Sequence, residues 1–213
     1  MIVAIDGPSA AGKGTLARRL AAALDFAYLD TGLLYRAVGA KLLTRGQSPE
    51  DPGAAERAAA DLVPQDLSRT DLRAEAVGEA ASQVAALPEV RAQLLAFQRR
   101  FAAAPPDGKA GAVLDGRDIA TVVCPEAEVK VFLTADLETR AARRSKELRD
   151  RGEKAIYPRV LQEMQDRDAR DSGRAAAPLR PADDAIVVDT TEMDPDAVFE
   201  AVLAIARSRL AET

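Results

Sequence analysis

Apolar positions along this chain follow two alternating rhythms. Short continuous apolar runs, the mark of strands buried on both faces, alternate with longer segments whose apolar residues recur at helical spacing. That alternation predicts an α/β fold with a parallel sheet. The runs Ile2 to Ile5, Phe26 to Leu29, Ala112 to Leu114, Val129 to Leu133 and Ala185 to Val188 read as strands. Helices are predicted over Leu16 to Leu24, from Asp30 or Thr31 to Leu43, over Asp136 to about Asp150, and over about Pro158 to Ser172. A terminal helix runs from Pro195 to Leu210, its proline in the first turn where the missing N–H costs nothing. Residues 54 to 104 are rich in alanine and charge. AAERAAADLV, DLRAEAVGEAASQVAAL and EVRAQLLAFQRRFAA each carry helical spacing, and Pro64 and Pro88 separate them. Those breaks disfavour a coiled-coil arm. Pro105, Pro106, Gly108 and Gly111 then mark a turn-rich connection.

Composition narrows the function classes. The chain has 213 residues, 47% of them hydrophobic, enough for one domain of ordinary size with inserts. No apolar run approaches the roughly 20 residues that cross a bilayer. The chain opens directly on a strand without a basic, cleavable leader, and the expected location is cytoplasmic. Its single cysteine, Cys124, excludes an intramolecular disulfide framework and reads as a small buried apolar residue. The net charge of −5 argues against binding polymeric nucleic acid. With no histidine, Ser-His-Asp chemistry, a histidine base and most zinc sites are excluded. Tryptophan is absent and aromatics are 4%, too few for stacking platforms along a strand of nucleic acid.

Candidate chemistry begins where the first strand ends. In IDGPSAAGKGT, Gly7 and Gly12 bracket four residues and Lys13 follows. That is the spacing of a phosphate-binding P-loop, set between a strand and a helix as the motif requires. Glycines let the backbone curl around a pyrophosphate, and successive N–H groups then point inward beside a helix N-terminus. Gly7, Pro8, Ser9, Ala10, Ala11, Gly12, Lys13, Gly14 and Thr15 are the predicted nucleotide cradle, with Lys13 charged against the β and γ phosphates. Gly14 stands where the common motif has a hydroxyl, and Thr15 comes one later. The GKGT ending resembles that of small-molecule kinases. Any magnesium is then expected to be held through water and phosphate rather than by direct protein ligation, with Thr15 and Asp115 as its water-mediated contacts.

Three further segments carry charge in suggestive places. Asp115-Gly116-Arg117-Asp118 follows a strand, and ligands of parallel sheets sit beyond strand carboxyl ends. There Arg117 suits a bidentate grip on an acceptor phosphate; the bland alternative is a capped turn with exposed charges. Asp30-Thr31-Gly32-Leu33-Leu34-Tyr35-Arg36 puts a hydroxyl at a helix start and an arginine further in, or is an ordinary cap with a surface arginine. By their spacing Arg167, Arg170, Asp171 and Arg174 are predicted to share one helical face, with Gly173 interrupting the helix near its end. They form either a solvated ion-pair face or a set of arginines converging on a transferred phosphoryl group. Arg140, Arg143, Arg144 and Arg149 form a second basic group, split between donor contacts and plain surface.

Taken together, IDGPSAAGKGT, LDTGLLYR, ASQVAALPEVR, DGRDIATVVCPEAEVKVFL, RDARDSGRAAAPL and AIVVDTT resemble the bacterial cytidylate kinases over nearly the whole chain. The resemblance implies a P-loop kinase: a parallel β-sheet core flanked by helices, a helical acceptor-binding insert and a short lid. On a single domain, 1–213, it puts the core at 1–45, 105–150 and 180–213, the insert at about 46–104 and the lid at about 151–179. It implies ATP and Mg2+, transfer to CMP or dCMP, free nucleotides as the only partners, no membrane, and a monomer. Catalytic roles fall on Lys13, Arg117, Arg170 and Arg174. Arg36 and Arg117 would grip the acceptor phosphate beside Thr31. Ser82, Arg91 and Asp118 would read the cytosine edge, and Arg167 and Asp171 would meet the ribose. Arg170 and Arg174 belong to the lid motif. VPQDLSRTDLRAE, at 63–75, is too short and polar for the small β-rich insert many members carry.

Other readings stay open on the residues alone. A kinase for UMP, AMP or shikimate would use the same scaffold. A nucleotide-binding module without catalysis would keep the loop but has no need of Lys13 and the arginine set. A structural helical protein would have an incidental loop.

Overall fold

The computed structural model describes residues 1–211. Its regular elements are β1 Ile2–Asp6, α1 Lys13–Leu24, β2 Ala27–Asp30, α2 Thr31–Thr44, α3 Pro52–Ala60, α4 Glu75–Val84, α5 Pro88–Ala103, β3 Ala112–Gly116, β4 Val129–Thr134, α6 Leu137–Asp150, α7 Tyr157–Gly173, β5 Ile186–Asp189 and α8 Pro195–Ala211. Five strands form one sheet in the order β2-β3-β1-β4-β5. β1 is central and parallel to both β3 and β4, and β4 is parallel to β5. The predicted α/β fold with a parallel sheet is the observed one. β3 continues through Asp115 and Gly116, past the apolar run that ends at Leu114. Its ladder with β1, which pairs Ile5 with Asp115 and Asp6 with Gly116, sustains the strand although the side chains turn polar.

The chain divides into two compact units, Met1–Leu29 with the chain from Pro105 onward, and Asp30–Ala104. In the first, Val3 and Ile5 of β1, Val113 of β3 and Val129, Val131 and Leu133 of β4 pack against Leu16 and Leu20 of α1 and Val198, Val202 and Leu203 of α8. Alternation along the strands sends these side chains to one face. At the same unit's other cluster, Ala141 and Leu148 of α6 meet Val160 and Met164 of α7, and Ala10 of the P-loop packs on them. Among the described residues no helix is long and apolar enough to cross a membrane.

The second unit is helical. Leu34, Val38 and Leu42 of α2 enclose the alanines of α3 together with Val84 of α4 and Val90 and Leu94 of α5. Residues 63–75 form two 3₁₀ turns, Pro64–Ser68 and Thr70–Arg73, rather than strands. Helices α2 and α4 cross closely because Gly39 lacks a side chain. A Cβ there would lie 2.9 Å from Ala80 Cβ and 3.1 Å from the Ala81 nitrogen. Gly39→Val is therefore expected to destabilise the protein by about 1–3 kcal/mol through overpacking. Valine regains only a few tenths of a kcal/mol of helix propensity, roughly, over glycine. Urea unfolding measures the difference, and an unchanged midpoint would show that the two helices separate freely.

Candidate active site

β1 ends at Asp6 and the chain turns at once into the P-loop. Gly7 has φ +147° and Gly12 φ +96°, backbone that other residues rarely adopt. A Cβ on Gly7 would run into the Leu133 carbonyl of β4, so the loop can leave the sheet this tightly only with glycine there. Lys13 opens α1 and is buried, its Nζ donating to the Pro8 carbonyl at 2.7 Å. The lysine thus folds back over its own loop. Burial first, and then the cations of Arg117 and Arg167, lower the pKa of Lys13 to about 7 against the pull of Asp115 and Asp6. Asp115 lies beside the loop: a Cβ on Gly14 would be 3.7 Å from its Oδ2, and its Oδ1 accepts from the Tyr28 hydroxyl at 2.9 Å. Asp115, close to Gly14, and the exposed Thr15 that follows it in the chain offer hard oxygens of the type magnesium prefers.

Next to the loop is a cleft of about 670 Å³. Ala11, Gly12 and Leu16 line it from the P-loop side, Met193 and Val198 from the far side, with Arg143 and Lys146 contributing cations. Thr190 joins its walls, its hydroxyl within hydrogen-bond reach of the Thr134 carbonyl at 3.0 Å and the Ala11 carbonyl at 3.3 Å. An apolar slot with cations, opening beside a phosphate loop, suits the base and ribose of a nucleotide.

At the end of β3, Arg117 and the buried Asp118 precede a π-helical turn, Ile119–Val123. Arg117 Nε donates to Asp171 Oδ2 at 2.9 Å. Asp171, 1% exposed, also receives Arg174 and lies 3.9 Å from Arg167 Nε. Burial alone would push this carboxyl up, but the three guanidinium groups hold it below the usual carboxylate range. So Arg117, Arg167, Asp171 and Arg174 are brought together, and Lys13 sits in the field of two of them. The helix ends one residue before Arg174, at Gly173, and Arg174 is extended; it reaches Asp171 from beyond the last turn rather than from a shared face. Arg170 is half-buried on α7 beside Asp171.

In the helical unit, Thr31 and Ser82 are buried. Asp30 holds the N-cap position of α2 but makes no side-chain cap bond, and Thr31 is the first helical residue. Arg36 Nη1 donates to the Leu72 carbonyl at 2.8 Å. Its guanidinium lies over Gly78, one turn before Ser82 on α4, where a Cβ would come within 3.2 Å of it. Arg91 donates to the Ala85 carbonyl at 3.1 Å and sits 5.6 Å from the Tyr35 ring centroid, within cation–π range.

The second basic group divides differently from expectation. Arg140 is not on the surface: it is buried, bonded to the Ala135 carbonyl and to the Ser9 carbonyl of the P-loop, and paired with Asp168 at 2.6 Å. Arg143 lines the cleft, and Arg144 pairs with Glu147 at 2.8 Å. Sequence reasoning gave no role to Asp6, Tyr35 or the cleft residues after β5. The string AIVVDTT was the available signal for Thr190; nothing marked Tyr35 as a ring beneath Arg91.

The cytidylate kinase family model matches residues 3–208. The chain is 63% identical over 208 residues to the cytidylate kinase of Paramagnetospirillum magneticum, covering 98% of each chain. It is 56% identical over 213 residues to that of Rhodospirillum rubrum, covering all of both. An uncharacterized protein from Eubacterium ventriosum, solved by crystallography, superposes with a TM-score of 0.54 over 98% of each chain at 16% identity, which shows the fold alone. A full-length match at such identity, on a parallel sheet that launches a P-loop toward a cluster of arginines, decides the matter: the chain belongs to the cytidylate kinase family.

Proposed function

We propose that this protein transfers the γ-phosphoryl group of ATP to CMP and dCMP, giving CDP and dCDP. The observation that carries this reading is the gathering of Lys13, Arg117, Arg167 and Arg174 around one end of the sheet. The P-loop and the adjoining cleft hold the donor. Arg117 and Arg36 take the acceptor phosphate, with Thr31 beside it. Ser82, Arg91 and Asp118 face the base, Arg167 and Asp171 the sugar. Residues 151–179 act as the lid, and the helical insert carries the acceptor. Magnesium, when bound, offsets charge on the phosphate oxygens, and Thr15 and Asp115 hold it through water. The same reading has a monomer working in the cytoplasm on free nucleotides.

The residues account for catalysis without a base. An acceptor phosphate is an anion near neutral pH, so no strong proton acceptor is required. Lys13 and the arginines supply positive charge where the transferred group spreads its negative charge. Arg170 and Arg174, on the lid, close over the phosphates and keep water from taking the phosphoryl group.

Base choice tests the assignment. A carboxylate at Asp118 accepts from the cytosine amino group and repels the carbonyl oxygen that uracil has in its place. Turnover measured across CMP, dCMP, UMP, AMP, GMP and shikimate, with ADP release followed in parallel, should favour CMP and dCMP. Asp118→Ala should lower the ratio of CMP to UMP turnover by about ten-fold or more, the effect of losing one charge-assisted hydrogen bond. An unchanged ratio would remove Asp118 from base reading; preference for another acceptor would leave the kinase and move the acceptor site.

A further inference from the structure

We propose that Asp6 is a positioning residue for the acceptor: it holds Arg117 and Asp118 in register with the P-loop. Asp6 is 1% exposed at the last position of β1. Its backbone closes the parallel ladder with β3 opposite Gly116. Its side chain then reaches past the ladder, Oδ1 accepting from the Ile119 N–H and Oδ2 from the Ala120 N–H, each at 2.8 Å. Between these two attachments the β3 chain has only Arg117 and Asp118, displaced from the sheet. One residue therefore pins both ends of the excursion that presents them. The next residue, Gly7, begins the P-loop and is pressed against β4 on the other side. Donor loop and acceptor turn are thereby fixed to a single point of the central strand.

The chemistry of the pin is specific. Both oxygens of a carboxylate accept, so two converging N–H donors are met by one side chain. Bonds to a charged acceptor are stronger than neutral ones. Asparagine has the same shape but turns an NH2 toward one of the two N–H groups, which breaks half of the pin. A buried carboxylate is also expensive: burial raises the pKa of Asp6 to about 6, against the lowering effect of its two backbone bonds. A core aspartate that only filled space would be replaced by an apolar residue at no such cost.

This inference rests on the reading of Arg117 and Asp118 as acceptor contacts, and the experiment separates the two. Asp6→Asn, Arg117→Ala and Asp118→Ala are compared with the unaltered protein. Amide hydrogen exchange at Ile119 and Ala120 reports the pin itself, and steady-state kinetics report its use. For Asp6→Asn we expect faster exchange at both amides and a KM for CMP raised about ten-fold, one lost charge-assisted bond. The CMP to UMP ratio should fall, while the KM for ATP stays within about two-fold. Three results would overturn the proposal: unchanged exchange, faster exchange with an unchanged CMP KM, or ATP and CMP parameters impaired equally alongside a lower Tm. If Arg117→Ala and Asp118→Ala leave CMP kinetics untouched, it is the acceptor assignment that fails. Should Asp6→Asn not fold, replacing Ala120 by its α-hydroxy analogue deletes one N–H, leaves Asp6 in place, and decides by exchange at Ile119 and the same kinetic readouts.

Discussion

Replacing Lys13 by methionine will abolish most turnover, by about 10³-fold or more, and yet leave the fold at least as stable at neutral pH. The loss follows from removing one positive charge from the transferred group, an effect of the size seen for other single cations in phosphoryl transfer. The stability follows from burial. An ammonium here is out of water, and its pKa is lowered to about 7. In the unfolded chain the group titrates near 10.5. Between these values the unfolded state binds more protons, so stability rises with pH across that window, and the penalty is fully present below about pH 7. Methionine fills the same space with no charge to desolvate and deletes that penalty. Urea unfolding from pH 6 to pH 10 should show the slope flattened in Lys13→Met. A second consequence concerns the intact protein: bound polyphosphate restores the charge on Lys13. ATP binding at pH 8 should therefore take up a proton, visible by calorimetry in buffers of different ionisation enthalpy, and the variant should take up none. Equal proton uptake in both would mean that Lys13 is already charged or is remote from the phosphates.

That prediction joins a residue the sequence exposes to an energy it hides. The P-loop spacing identified Lys13, since the motif is local and its backbone demands leave a mark in glycines. The strands were legible for a similar reason: parallel strands are continuous apolar runs, even β5, which is largely exposed at the sheet edge, and all five fall within about two residues of expectation. What stayed hidden depends on contacts between distant positions. β3 extends over Asp115 and Gly116 because β1 pairs with them, which no local pattern reports. Arg140 resembles its neighbours in sequence, but only the packing of α6 on α7 turns it inward to Asp168. Asp6 reads as the polar end of a strand until the turn at Ile119 and Ala120 is seen to hang from it. The basic residues of α7 were visible as a group. Their convergence on a single carboxylate, together with Arg117 from another element, was not.

That carboxylate gives the largest expected loss of stability. Asp171 is 1% exposed and faces Arg117, Arg167 and Arg174, whose side chains are themselves mostly buried. Such a cluster need not be worth much against a well-packed apolar substitute, because taking charges from water costs nearly what their attraction returns. Removing one member is different. Asp171→Ala leaves three guanidinium groups crowded together with their shared counter-charge gone, and should cost about 3–5 kcal/mol. Changing Arg117 as well, to methionine, should recover part of that loss, since it removes one of the stranded cations; the coupling appears as non-additivity in a double-mutant cycle. The pH dependence has the same sign as that of Lys13, because both folded pKa values are depressed; here it is a favourable contribution lost in acid rather than a penalty relieved in base. The arginines hold the folded pKa of Asp171 below its unfolded value, so its contribution is complete above about pH 4, where the free carboxyl is ionised, and disappears as the pH falls through the folded value. Acid unfolding of the intact protein should therefore steepen at the low end, and Asp171→Ala should lack that step. Full additivity together with an unaltered acid limb would show that the arginines are neutralised by solvent rather than by Asp171. Arg117 is also an acceptor contact in the function proposed above, so bound CMP should compete with Asp171 for the same guanidinium. Saturating CMP should then protect Asp171→Ala more than it protects the intact protein, because in the variant the phosphate returns the missing negative charge.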